Sequence, residues 1–300
     1  MAAKTIWMDG ELIDWGDATV HVTSFGLHYG IGFFEGIRCY PTPAGPAIFR
    51  LIDHVRRLRR SAAIYGVGLP RPLEEVTAAC KLVVSANGLT ECYLRPIVFL
   101  GEGPNPLAAT FRTAIIATEN GPLIGEPKRD GVKARISSFH RMQSTSIPPA
   151  AKAAGQYLNA FLAQTEALFS GADEAILLND RGFVTDGWAH NVCIVRDGAL
   201  LTPPVSAGAL PGITRDTIMT LAAEDGVAVR EHDLVRSDLY LADECFLTGT
   251  AAGVIPVTSV DGRTVGEGKP GPLTRRLSEA LTAVTHGATD EHPEWREHLL

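Results

Sequence analysis

Ile147-Pro-Pro-Ala-Ala-Lys152-Ala-Ala-Gly-Gln-Tyr157-Leu158-Asn159 sets one lysine among small apolar residues, at the head of a helical pattern. Ala150, Ala151, Ala153, Ala154 and Gly155 leave space on both sides of it. A lysine desolvated in this way loses affinity for its proton and becomes a usable amine nucleophile. Small neighbours also let a flat ring lie against the backbone. The ordinary reading of such a residue is a solvated lysine at a helix start. The rest of the chain decides against it.

Downstream, residues 156–169 read as a helix with Tyr157, Phe161, Leu162, Thr165 and Leu168 along one face. Hairpin patterns follow around Asn179-Asp-Arg-Gly182 and at Asp197-Gly198. Ala209-Leu210-Pro211-Gly212-Ile213-Thr214-Arg215-Asp216 then runs into a helix over 212–225. Helix starts carry unpaired N–H groups and a positive dipole end, so they hold phosphate readily. Gly212 permits close approach there, and Thr214 adds a hydroxyl. After a short strand over 244–248, Thr248-Gly249-Thr250-Ala251-Ala252-Gly253 offers a second group of hydroxyls and backbone N–H groups. A hairpin around Asp261-Gly262 and a helix over 272–285 complete this half. No triphosphate-binding G-x-x-x-x-G-K-[ST] and no G-x-G-x-x-G after a strand occurs, which disfavours a nucleoside triphosphate or NAD.

Upstream, residues 4–15 alternate around Asp9-Gly10 as a hairpin, and residues 19–25 alternate as a further strand. Gly26 to Tyr40 mixes glycines with aromatics, which suits the wall of a small-molecule pocket. Residues 49–63 predict a basic amphipathic helix on Leu51, Val55, Leu58 and Ala62. Its four arginines, Arg56, Arg57, Arg59 and Arg60, exceed what a solvated face needs, so one of them is expected to point inward. A second helix spans 72–87, started by Pro72 and stopped at Asn87-Gly88. Strands are expected over 91–100, where alternation puts Tyr93 and Arg95 on one face, over 109–118 and over 132–138. Residues 119–130, with Gly121, Pro122, Gly125 and Pro127, make the best linker. The expected organisation is a small N-terminal α/β domain (1–118), an interdomain loop (119–130) and a larger C-terminal domain with the lysine (131–300). Helices and tight hairpins without strict alternation give an α+β or mixed α/β class, not a doubly wound parallel sheet.

A net charge of −7 with no basic run makes nucleic acid an unsuitable partner. Five scattered cysteines without C-x-x-C give neither a disulfide framework nor a metal site. No signal-like or membrane-spanning apolar run is present, so a soluble cytoplasmic protein is expected.

Taken together, His28-Tyr-Gly30, Phe34-Glu-Gly-Ile-Arg-Cys-Tyr40, Tyr93-Leu-Arg-Pro96, Ala150-Ala-Lys152-Ala, Ala209 to Asp216 and Gly249-Thr-Ala251 resemble the branched-chain amino acid aminotransferases. These belong to the fold-type IV pyridoxal-phosphate enzymes. The similarity runs from about Ile6 to about Leu273. It implies two α/β domains of the D-amino acid aminotransferase-like architecture, with pyridoxal 5'-phosphate between them. It implies that Lys152 forms the Schiff base and moves the proton, and that Arg57 binds the phosphate with Ile213, Thr214 and Thr250, in the cups of Gly212 and Gly249. Tyr157 would bond the phenolic oxygen, Leu210 would pack on the ring, and Tyr29, Phe34, Tyr93, Arg95, Thr250 and Ala251 would shape the substrate pocket. The implied reaction exchanges the amino group between branched-chain L-amino acids and 2-oxoglutarate, in a homodimer or higher oligomer. A loop of the partner subunit, here near Leu107, would close the site. Two departures stand out. The run Asp186-Gly-Trp-Ala-His190-Asn191 puts an aspartate where the family places glutamate on the pyridine nitrogen, with Trp188 and His190 beside it. The loop 119–125 lacks the family's aromatics. A different transaminase or a lyase is the alternative that keeps the cofactor; a non-enzymatic binding module is the alternative of another class.

Overall fold

The computed structural model describes residues 4–119 and 130–299. Of the expected interdomain loop, residues 120–129 lie outside the described residues. Residues 4–119 form β1 (Thr5–Met8), β2 (Glu11–Asp14), α1 (Phe25–Tyr29), β3 (Gly32–Phe34), β4 (Ile37–Tyr40), β5 (Ala47–Phe49), α2 (Leu51–Ile64), α3 (Leu73–Ala86), β6 (Cys92–Leu100) and β7 (Phe111–Thr118). Residues 130–299 form β8 (Val132–Ile136), α4 (Tyr157–Phe169), β9 (Glu174–Leu178), β10 (Val184–Gly187), β11 (Asn191–Arg196) and β12 (Ala199–Thr202). After these come α5 (Ile213–Glu224), β13 (Val229–Glu231), α6 (Arg236–Tyr240), β14 (Glu244–Gly249), β15 (Gly253–Val260), β16 (Arg263–Thr264), α7 (Pro272–Thr285) and β17 (Arg296–His298).

The chain divides into two compact units, and neither is one continuous stretch. The first holds the N-terminal residues through 119 together with Ala151–Gly155 and the C-terminal residues from Ala283. The second holds the rest, from residue 130 to Ala150 and Gln156–Thr282. The lysine segment is thus part of the N-terminal unit.

In the first unit the described strands run β17-β5-β4-β6-β7-β1-β2, with β3 also on β6. The helices α2 and α3 cover this sheet. Leu51 and Val55 of α2 and Val76, Cys80, Val83 and Val84 of α3 pack with Ile37, Ile48, Leu94 and Ile115 from the strands. The helical spacing of those apolar residues is what places them on one side. The Asp9-Gly10 hairpin forms as expected, with Met8 opposite Glu11 and both turn residues at positive φ. The strand expected over residues 19–25 is absent, and α1 begins at Phe25 instead. Val20 and Val22 are both exposed, so their alternation has neither a core nor a ladder partner to make it a strand.

In the second unit the order is β10-β9-β8-β15-β14-β11-β12-β13, and β10 also pairs with β11. Six strands, β10 through β11, therefore close on themselves. Val132, Ile136, Ile176, Val184, Val192, Ile194 and Leu247 belong to the core of this unit. The β8–β9, β8–β15 and β12–β13 pairs are parallel and the other pairs antiparallel, so the class is mixed α/β, as expected. The apolar face of α4 that carries Phe161, Leu162 and Leu168 points outward. The buried residues of this helix are Ala160, Ala163 and Ala167, while Leu158, Phe161, Leu162, Leu168 and Phe169 are exposed. Trp188 packs with Ala163, Ala167, Ala175 and Leu177, filling the room the alanines leave. Among the described residues no helix is long and apolar enough to cross a membrane.

Candidate active site

Within the first unit, Lys152 is held by its backbone on both sides. Its N–H donates to Ser61 Oγ on α2 at 2.9 Å, and its C=O accepts the Phe34 N–H at 3.1 Å. The next residue, Ala153, forms a bridge with Phe33. Ala151 and Ala153 are buried with Phe33, Leu58, Ala62 and Val98, which explains why this segment is built of small residues. Gly30 and Gly155 approach so closely that a Cβ on Gly30 would sit 3.2 Å from Gly155 Cα. Lys152 Nζ lies 5.3 Å from the centre of the Phe34 ring. The Arg95 guanidinium lies over the same ring at 4.6 Å, and its Nη2 donates to the Tyr93 hydroxyl at 3.1 Å. Phe34, Tyr93, Arg95 and Lys152 are thereby brought together, three of them from β3 and β6. Arg95 Nε is buried without a partner among the described residues. Tyr29 stands apart, 63% exposed and stacked on Phe25.

Of the arginines on α2, Arg57 is the buried one, and Arg56, Arg59 and Arg60 are not buried with it. What turns it inward is Glu35, a residue to which sequence reasoning gave no role. Arg57 Nε and Nη2 donate to the two Glu35 oxygens at 2.7 and 2.8 Å, and His54 Nδ1 meets Glu35 at 2.7 Å. Burial alone pushes the Glu35 carboxyl up, but Arg57 and His54 outweigh it and hold it far below the usual carboxylate range. Burial pushes the His54 imidazole down, against the pull of Glu35. His54, Arg57 and Ser61 recur at helical spacing on the lysine-facing side of α2, and that was the available signal.

Within the second unit, the two expected phosphate cups converge. Thr214 Oγ1, in the first turn of α5, lies 3.4 Å from Thr250 Oγ1, in the turn between β14 and β15. Gly249 ends β14 and Ala251 lies in that turn, whose base is closed by Thr248 Oγ1 donating to the Gly253 carbonyl at 2.9 Å. The cap of α5 is Gly212, which brings no side chain to the N–H groups of Ile213 and its neighbours. Gly212 is required there, because a Cβ would land on the Asn191 side-chain oxygen. Asn191 Nδ2 also donates to the Leu210 carbonyl at 2.9 Å, so one amide braces the whole approach to α5. A helix start capped by glycine, with two hydroxyls beside it, fits a phosphate ester.

Tyr157, Asp186 and Leu210 line one small cavity of about 30 Å³ with Arg141, Trp188 and His190. Asp186 is buried on β10. Its Oδ1 accepts Thr185 Oγ1 at 3.1 Å, its Oδ2 accepts the Leu210 N–H at 3.3 Å, and Arg141 Nε stands 3.6 Å away. His190, near Asp186 in sequence, faces β9 instead. Among the described residues neither ring nitrogen of His190 has a hydrogen-bond partner, and Nδ1 faces Glu174 Oε2 at 3.6 Å. The reason is local: Gly187 N–H donates to the His190 carbonyl at 2.6 Å, and the reversal between them turns the imidazole toward β9.

Three comparisons with known proteins bear on this arrangement. The family model for amino-transferase class IV matches residues 32–260. The chain is 44% identical to the branched-chain-amino-acid aminotransferase of Escherichia coli (strain K12), over 99% of this chain and 98% of that one. A crystal structure of the Escherichia coli branched-chain amino acid aminotransferase superposes with a TM-score of 0.95 at 44% identity, covering 99% of this chain and 100% of that one. The branched-chain amino acid aminotransferase of Thermobaculum terrenum, solved in its PLP-bound holo-form, gives 0.91 at 33% identity, covering 98% of each chain. With a lysine, a glycine-capped helix start, a threonine turn and a buried carboxylate placed on the fold these relatives share, the chain belongs to the class IV aminotransferases, in their branched-chain amino acid group.

Proposed function

We propose that this protein is a pyridoxal 5'-phosphate-dependent transaminase that exchanges the amino group between branched-chain L-amino acids and 2-oxoglutarate. The observation that carries the reading is the meeting of the two cups at Thr214 and Thr250, 3.4 Å apart at the start of α5. When bound, the cofactor supplies an electron sink for charge developing at the amino acid's α-carbon. The chain's own residues do the rest. Lys152 Nζ anchors the cofactor and moves the proton. Arg57, Ile213, Thr214 and Thr250 bind the phosphate. Asp186 keeps a proton on the ring nitrogen, because a carboxylate beside that nitrogen favours its charged form. Tyr157 orients the phenolic oxygen, and Leu210 covers the ring face and excludes water. Tyr93 and Arg95 meet the substrate carboxylate, with Phe34, Tyr29, Thr250 and Ala251 around its side chain.

We propose further that the protein works as a homodimer or larger homo-oligomer. The exposed apolar residues of α4 and the fully exposed Leu107 support this, because apolar side chains so placed gain from being covered. Five free, buried cysteines suit the reducing cytoplasm in which we place it. The test is covalent. Borohydride reduction of the purified holoprotein, followed by peptide mapping, should put a pyridoxyl group on Lys152, and L-leucine should discharge the protein's yellow colour. A label on Lys81 or Lys133, or a colour indifferent to L-leucine, would overturn the assignment.

A further inference from the structure

Glu35 is completely buried and gathers three charge-assisted contacts, two from Arg57 and one from His54. The two from Arg57 come from the Nε–Nη2 edge, so the plane of the guanidinium is fixed. Arg57 and His54 keep the carboxyl ionised, and burial keeps the imidazole neutral near neutral pH. Glu35, Arg57 and His54 therefore sum to no net charge. A phosphate dianion placed against Arg57 meets a cation already balanced by a carboxylate. In a buried setting that shortfall matters more than it would in water. One group in direct contact can correct it without moving a heavy atom. A proton on the second nitrogen of His54 leaves the 2.7 Å contact to Glu35 intact and makes the group positive. The charged groups facing His54 are Glu35 from the β3–β4 connection, Arg57 on its own helix and Lys152 from the segment 151–155.

We infer that His54 and Glu35 belong to the phosphate site: Glu35 holds the Arg57 guanidinium in plane, and His54 takes up a proton when a phosphate dianion binds at Arg57. This rests on Arg57 being the phosphate ligand of the proposed function. His54 acts through Glu35 and Arg57, so it is a positioning residue.

The test uses the full chain stripped of cofactor and titrated with pyridoxamine 5'-phosphate, whose amine does not condense with Lys152. Binding heats are measured near neutral pH in phosphate-free buffers of different protonation enthalpy, for the wild type and for His54→Gln. Protons exchanged by the ligand itself are common to both and cancel in the difference. The wild type should take up as much as about one proton more per site, and its affinity should fall by up to about tenfold more per unit rise in pH. Binding with equal proton counts in the two proteins overturns this inference and leaves the proposed function standing. Absence of binding to the wild type overturns both. Should His54→Gln fail to fold, nitrogen NMR of labelled histidine in the wild type decides. Conversion of the His54 ring to the imidazolium on adding the ligand supports the inference, and a ring that stays neutral overturns it.

Discussion

Asp186 is one methylene shorter than the glutamate of the motif it resembles, yet it sits buried with both oxygens engaged, by Thr185 and by the Leu210 N–H. Leu210 in turn is tied to Asn191, so the proposed ring partner and the ring cover share one hydrogen-bonded frame. Asp186→Asn keeps that frame and removes the charge. Turnover is expected to fall by orders of magnitude while the absorbance of retained cofactor stays nearly unchanged, because the proposed phosphate contacts are elsewhere. Asp186→Glu should be tolerated, and wild-type turnover in Asp186→Asn would show that another group serves the ring nitrogen. Glu35 gives the pH counterpart. Its folded value lies below the ordinary 4.5, so its stabilising charge is fully present above pH 4.5 and is lost as the pH falls further. His54, depressed below 6.5, also weakens the fold in acid, because the unfolded chain binds its proton more readily. Melting temperatures should therefore drop from about pH 6.5 downward. The gap between wild type and Glu35→Gln should be widest above pH 4.5 and begin to close below it. A gap constant down to the lowest pH reached would exclude Glu35 as the titrating group.

At the scale of elements, β3, the turn at Gly36 and β4 bring Phe34 and Glu35 to their places. A Cβ on Gly36 would collide with the Tyr93 hydroxyl on β6. Gly36→Ala should therefore destabilise by about 1–3 kcal/mol, as other overpacked sites do. It should also raise KM for the amino acid more than it lowers kcat, since Tyr93 and Arg95 move with the strand. The same change in a Tyr93→Phe background should cost less stability; equal losses in both backgrounds would remove the collision as the cause. These elements also mark what was legible in the sequence. The helix α2 was plain from Leu51, Val55, Leu58 and Ala62, and the hairpin turns were plain from Asp9-Gly10, Asp197-Gly198 and Asp261-Gly262. The two turns that meet at Thr214 and Thr250 were legible because a glycine, a hydroxyl and a helix start are local features. Glu35 was not, because its partners lie 19 and 22 residues away and only the folded sheet brings them together. Strands of three or four residues, such as β3, β4 and β5, are too short to display a period. The helical period of α4 was legible but its buried side was not, because large apolar residues usually point inward and here alanines do.

At the scale of the whole molecule, that outward face has its own consequence. Phe161 is 65% exposed and Phe169 89% exposed on a helix whose inner side is alanine. Phe161→Glu should shift the protein from dimer toward monomer in sedimentation, with folding intact by circular dichroism. A wild-type protein that sediments as a monomer at all concentrations would dismiss the proposed assembly. The order in which the chain is made bears on the other feature described above. β17, residues 296–298, pairs with β5 at the outer edge of the first sheet. That sheet is begun first and finished last. On the ribosome, β5 presents a bare edge while the entire closed ring of the second unit is synthesised. Bare edges are where nascent chains misassociate, so this long interval is the window in which a chaperone has most to guard.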